Sequence, residues 1–126
     1  MTTTKNFWKE LKTPILALAP MANVTDAVFR AIIAKYSCTQ CRRGAKHNLE
    51  HVERYVAWTE FVSVEALLSE GRDIALVDFY KLDKHAPTVA QIFGSKPEQF
   101  EKVARQIQEA GVFDGIDINM GCPDKG

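Results

Sequence analysis

The chain has 126 residues, a formal net charge of zero, 46% hydrophobic and 25% charged residues. This is globular composition with enough length to bury one ordinary core, and it lacks the basic surplus that nucleic-acid binders usually carry to neutralise phosphates. No apolar run approaches the ~20 residues of a membrane span, the polar start from Met1 to Lys12 lacks the apolar core of a signal peptide, and three cysteines without such a signal argue against a disulfide framework. The default expectation is a cytoplasmic protein with no membrane partner.

The first predicted strand is Ile15 to Ala19, a continuous apolar run of the kind that a parallel sheet covers on both faces. Pro20 ends it. Thr25 or Asp26 can cap the helix that follows, whose apolar stripe is Val28, Phe29, Ile32, Ile33 and Tyr36. A second strand runs from about Val56 to Val62, and a helical segment from about Val64 to Leu76 is interrupted at Gly71. The third strand is Thr88 to Phe93. Ser95-Lys96-Pro97-Glu98 reads as a capping box opening a helix with Phe100, Val103, Ala104 and Ile107 on its buried face. Gly111 is the expected stop, and Gly115 to Met120 is the fourth strand. Strand and helix alternating in this way means parallel βαβ units with right-handed crossovers, an α/β fold.

The end of the chain is the richest in chemistry. In Asn119-Met120-Gly121-Cys122-Pro123 the fourth strand delivers the Asn, and Gly-Cys-Pro follows it directly. A strand end is rigid and a Gly-Cys-Pro turn is tight, so the thiol is held at a defined place above the end of the sheet rather than inside an apolar run.

A second cluster is Cys38, Cys41, His47 and His51, in the spacing C-x2-C-x5-H-x3-H. Two thiols on a knuckle and two imidazoles one helical turn apart can close a tetrahedral zinc site. The short spacer and the flanking Arg42, Arg43, Lys46 and Arg54 favour a plain solvated loop over a metal site. The same basic loop is a weaker candidate for an RNA contact, its charge diluted by Glu50 and Glu53.

Asn119 to Pro123 closely resembles the Asn-x-Gly-Cys-Pro signature of the tRNA-dihydrouridine synthases, flavin enzymes on a (β/α)8 barrel. Three further stretches match in order: Pro14 to Asp26 with its Ala-Pro-Met turn, continued by Phe29-Arg30; Trp58 to Ser63; and Val89 to Gly94. The resemblance covers nearly the whole chain except residues 37 to about 55, which read as an atypical insertion. A complete barrel takes roughly 250 residues, so the expectation is a partial (β/α)8 TIM barrel of about four βα units, the N-terminal half of a flavin-binding domain.

The resemblance also implies roles. The backbone at Ala19, Pro20, Met21 and Ala22 would lie against the ring of FMN, and Gln91 would hydrogen-bond the ring edge. Asn119 would orient the uracil, and Cys122 would be the general acid; Glu60, also near a strand end, is given no direct role. Reducing the C5=C6 bond of uridine needs a hydride at C6 and a proton at C5, and a thiol of ordinary pKa, ~8.5, is still protonated near neutral pH. NADPH would recharge the flavin and tRNA would be the substrate, its base leaving the stack to reach the barrel mouth. Another FMN barrel oxidoreductase, such as a dihydroorotate dehydrogenase-like enzyme, and a small Zn-stabilised binding module remain as alternatives. By itself the stretch is expected to self-associate through open sheet edges, with Ile15, Ala17, Ile116 and Ile118 as inward side chains lacking their partners.

Overall fold

A computed structural model describes residues 6–11, 13–37, 55–77, 79–82 and 86–121. Four strands, β1 (Ala17–Leu18), β2 (Val56–Ser63), β3 (Thr88–Phe93) and β4 (Gly115–Ile118), form one sheet in the order β1-β2-β3-β4, every neighbouring pair parallel. Between them lie α1 (Ala27–Ser37), the short helices α2 (Val64–Leu67) and α3 (Arg72–Val77), and α4 (Pro97–Ala110). Four parallel strands in sequential order alternating with helices are the first four units of a TIM barrel.

Pairing register assigns each strand face. Val62, Ala90 and Ile92 pack with Val64, Leu67, Ala75, Phe79, Val103 and Ile107 in the main core between sheet and helices. Tyr55 and Ala57 form a second cluster, against Leu18 and against Ile33 and Ala34 of α1. The opposite face, which turns inward in a barrel, therefore carries Ala17, Val56, Trp58, Val89, Gln91, Phe93 and Asp117. At the N-terminal end of this inner face sits a single 3-10 turn, Phe7–Glu10, capped by the Asn6 carboxamide. The ring of Trp8 lies 6.2 Å from that of Trp58, and Phe7 closes over Gly115, where a Cβ would stand 3.5 Å from its ring.

The strand and helix order matches the sequence expectation, and the segment after β2 is interrupted, though the break starts after Leu67 rather than at Gly71, dividing it into α2 and α3. Gly111 ends α4 in the left-handed region at φ 62°. Four details differ. The first strand is paired over two residues only, because β2 meets it only at Ala17 and Leu18. On α1 the buried positions are Ala27 and Arg30, with Ile33 and Ala34 against the sheet, while Val28, Ile32 and Tyr36 are 57%, 48% and 74% exposed. The helix is thus rotated from the expected stripe, with the buried arginine bonded to Thr25 O and Tyr80 O. Ile116 and Ile118 are in register with Ala90 and Ile92, so they occupy the helix-facing side of the sheet rather than the inner face.

The capping box is the fourth correction. Lys96, not Ser95, is the N-cap of α4, and no side chain bonds there. The Ser95 N–H is instead given to the Glu65 carboxylate, which also accepts from Ser63 Oγ at 3.0 Å. Hydrogen bonds from backbone N–H groups, its own first, and then from Ser63 hold the Glu65 carboxyl below its ordinary range. Ser63 meanwhile caps α2, accepting from Ala66 N–H at 3.3 Å. Gly94 makes this junction possible: a Cβ there would overlap Val64 Cγ2 and stand 3.1 Å from Glu65 Oε2. Gly94→Ala should therefore cost about 1–3 kcal/mol of stability, read as a lowered midpoint in denaturant unfolding; an unchanged midpoint would refute the close approach.

Candidate active site

Because all four strands are parallel, their C-terminal ends meet at one end of the sheet. The turn after β1 is fixed there by Thr25. Its hydroxyl accepts from Met21 N–H at 2.9 Å and donates to Met21 O at 3.1 Å, and Val24 N–H and Thr25 N–H add bonds to the same carbonyl at 3.1 and 3.0 Å. Pro20 has no N–H to offer, and Asn23 takes a left-handed φ of 59°, a conformation Asn tolerates better than most residues. Thr25 is fully buried, whereas Ala19, Met21 and Ala22 remain exposed on the turn.

Arg30 holds this turn from below. Its guanidinium donates to Thr25 O and to Tyr80 O, so it ties the first turn to the segment after α3. Burial pushes the Arg30 pKa below its ordinary value, opposed by the nearby charges of Asp26 and Glu60 and by Tyr55. Asp26 caps α1 through its bond from Phe29 N–H at 2.6 Å, which settles the choice of cap in its favour.

The centre of the site lies on β3 and β4. Between Trp58 and Phe61 the register with β3 shifts, and β2 carries one residue more than its partner. Thr59 Oγ1 bridges the irregularity, accepting from Gln91 N–H at 3.0 Å and donating to Glu60 O at 2.8 Å. The Gln91 side chain is 6% exposed and donates Nε2–H to Asp117 Oδ2 at 2.6 Å, while its Oε1 is buried without a hydrogen-bond partner. Beside it Phe61 and Phe93 meet edge to face, ring centres 5.4 Å apart. One residue past β4, Asn119 donates its N–H to Ile92 O at 2.9 Å and folds its Oδ1 onto Gly121 N–H at 3.0 Å.

The expected site residues thus fall at one end of the sheet: Ala19 to Ala22 after β1, Gln91 near the end of β3, and Asn119 just past β4. Gln91, Asp117 and Asn119 follow one face by strand alternation and register. Glu60 lies inside β2, three residues before its end. Cys122 lies outside the described residues, as do Cys38, Cys41, His47 and His51; among the described residues no group of three or more His, Cys, Asp or Glu could hold a metal ion. Arg30 and Asp117 were not singled out from sequence. The signal for Arg30 was a charge three residues after Ala27 and three before Ile33, on the helix face that packs against the sheet.

The family model for dihydrouridine synthase matches residues 17–126. The chain belongs to the dihydrouridine synthase family. Among curated relatives, a probable tRNA-dihydrouridine synthase 2 of Bacillus subtilis (strain 168) is 37% identical over 121 residues, covering 95% of this chain and 32% of its own length. A probable tRNA-dihydrouridine synthase of Staphylococcus aureus (strain Mu50 / ATCC 700699) is 39% identical over 121 residues, with 94% of this chain and 32% of its length covered. The chain therefore spans about a third of the length of these dihydrouridine synthase relatives. No solved structure gives a significant match. No helix among the described residues is long and apolar enough to cross a membrane.

Loss of the Arg30 clamp is the direct test of this family member's first turn. Arg30→Met keeps the apolar stem but leaves Thr25 O and Tyr80 O without their donor. The expected cost is about 2–3 kcal/mol, measured by thermal or denaturant unfolding, and a neutral substitution would show that the clamp is not needed.

Proposed function

We propose that the protein to which this chain contributes reduces uridine to dihydrouridine in tRNA, with FMN as hydride carrier and NADPH as reductant. Residues 1–126 act in this reading as the N-terminal half of the flavin-binding barrel, with an insertion at about 37–55. The observation that carries it is the buried, unpartnered Oε1 of Gln91, set beside the Phe61–Phe93 pair on the inner face of a sheet whose family is the dihydrouridine synthases. An orphaned acceptor next to an aromatic wall suits a flat heterocycle with a ring N–H, and a flavin meets both conditions.

When bound, FMN supplies the hydride that adds to C6 of the uracil. The chain's own residues supply the rest. The turn from Ala19 to Ala22, pinned by Thr25 and Arg30, offers a stiff backbone surface with Met21 exposed for ring contact. Gln91 accepts from the ring edge. Asn119, with its main chain tied to β3, orients the uracil, and donors near the base carbonyls stabilise the charge that builds as hydride arrives. Cys122 delivers the proton to C5 as a neutral thiol and is then recharged from solvent. Cys122→Ala in the full-length protein should abolish dihydrouridine formation, measured on tRNA hydrolysates, while FMN stays bound; near-normal turnover would remove the thiol from the mechanism.

The same reading places later strands against β1 and β4. Ile116 and Ile118, 39% and 48% exposed on the helix-facing side, and Ile15 and Leu16 beside β1, 46% and 51% exposed, are the surfaces those strands and their helices would cover. Residues 1–126 produced alone should self-associate in light scattering and bind FMN weakly in a fluorescence titration. A stable monomer with submicromolar FMN affinity would contradict the half-barrel assignment.

A further inference from the structure

The Gln91 amide has two ends, and only one is committed. Its Nε2–H donates to Asp117 Oδ2 at 2.6 Å, and its Oε1 is buried with no partner. An ionised carboxylate accepts and does not donate. The amide therefore cannot reverse without setting its oxygen against that carboxylate. Register reinforces this, since Gln91 and Asp117 stand directly opposite one another on β3 and β4, and the Gln91 main chain is held from the other side by Thr59.

We infer that Asp117 is a positioning residue: it locks Gln91 with the carbonyl oxygen toward the ligand, so that the site selects a planar ring presenting an N–H at that edge. The inference rests on the flavin reading above. Oxidised isoalloxazine has a single N–H, on its pyrimidine ring and flanked by two carbonyls. A free glutamine could turn its NH2 to either carbonyl instead. The lock on Asp117 removes that choice and makes Gln91 an acceptor for the N–H.

A charge-conserving exchange separates this from a purely structural role. In the double variant Gln91→Glu/Asp117→Asn the hydrogen bond between the two positions is kept with its direction reversed, the net charge of the pair is unchanged, and an oxygen still faces the ligand. Gln91→Glu alone sets two carboxylates together and should weaken FMN binding by about tenfold or more. Gln91→Leu, which folds without that repulsion, should lose a similar factor. The double variant should recover FMN affinity to within about threefold of the unaltered protein. The titrations use full-length protein and FMN fluorescence quenching, with the melting temperature of each variant recorded alongside.

Recovery of affinity in the double variant supports the lock. A glutamine that worked by donating its NH2 could not be replaced by a carboxylate, so recovery of melting temperature without recovery of FMN affinity overturns the inference. Full affinity in Gln91→Leu overturns it as well. If the unaltered full-length protein binds no FMN, the flavin reading itself fails and the inference falls with it, whereas FMN binding that the exchange does not restore refutes the inference alone.

Discussion

The hydroxyl of Thr59 decides what the inner face of the sheet presents. In an unbroken register Trp58 opposite Val89 would bring Glu60 opposite Gln91. The shift in β2 brings Phe61 there instead. A parallel ladder cannot lose a main-chain acceptor at a fully buried position without cost, and Thr59 Oγ1 supplies one to Gln91 N–H while its own proton goes to Glu60 O. One side-chain oxygen thus stabilises a bulge, places an aromatic ring next to Gln91, and removes a carboxylate from that position. The charge of Glu60 is felt by Arg30.

The two ends of the inner face are built differently. At the N-terminal ends of the strands, Phe7 and Trp8 fill the space with rings against Gly115 and Trp58. Nearby, Asp114 accepts from Lys81 Nζ and from Thr88 N–H, each at 2.9 Å, and ties the segment after α3 to the starts of β3 and β4. At the C-terminal ends the turns are held by hydrogen bonds, through the buried Thr25 and Arg30 under the first and through Asn119 at the last. Aromatic packing thus covers one end, and hydrogen-bonded turns shape the other.

Much of this was legible in the sequence because it is local. Apolar runs located β2 and β3 to within a residue, and Gly111 ended α4 because a glycine adopts a left-handed conformation that other residues rarely take. The failures are non-local. Ser95 and Glu98 satisfy the capping pattern, yet the Ser95 N–H is claimed by Glu65 from a different helix. The stripe on α1 was read from hydrophobicity, which cannot anticipate that Arg30 would be drawn inward by two carbonyls far apart in sequence. Ile116 and Ile118 were assigned to the wrong face because period-two alternation fixes which residues share a side but not which side it is. Asp117 had no signal of its own within the Ile-Asp-Ile run; its importance comes only from the residue opposite it on β3.

The contact of Phe7 with Gly115 also has a kinetic meaning. It joins residues far apart in sequence, with β1, β2 and β3 between them. Closing so long a loop is entropically costly before the intervening strands have paired. Phe7 can therefore reach Gly115 only after β4 has added to β3. Until β4 is in place the Phe7 ring lacks that partner and keeps the neighbouring Trp8 ring, 4.5 Å away, which itself leans on Trp58 of β2.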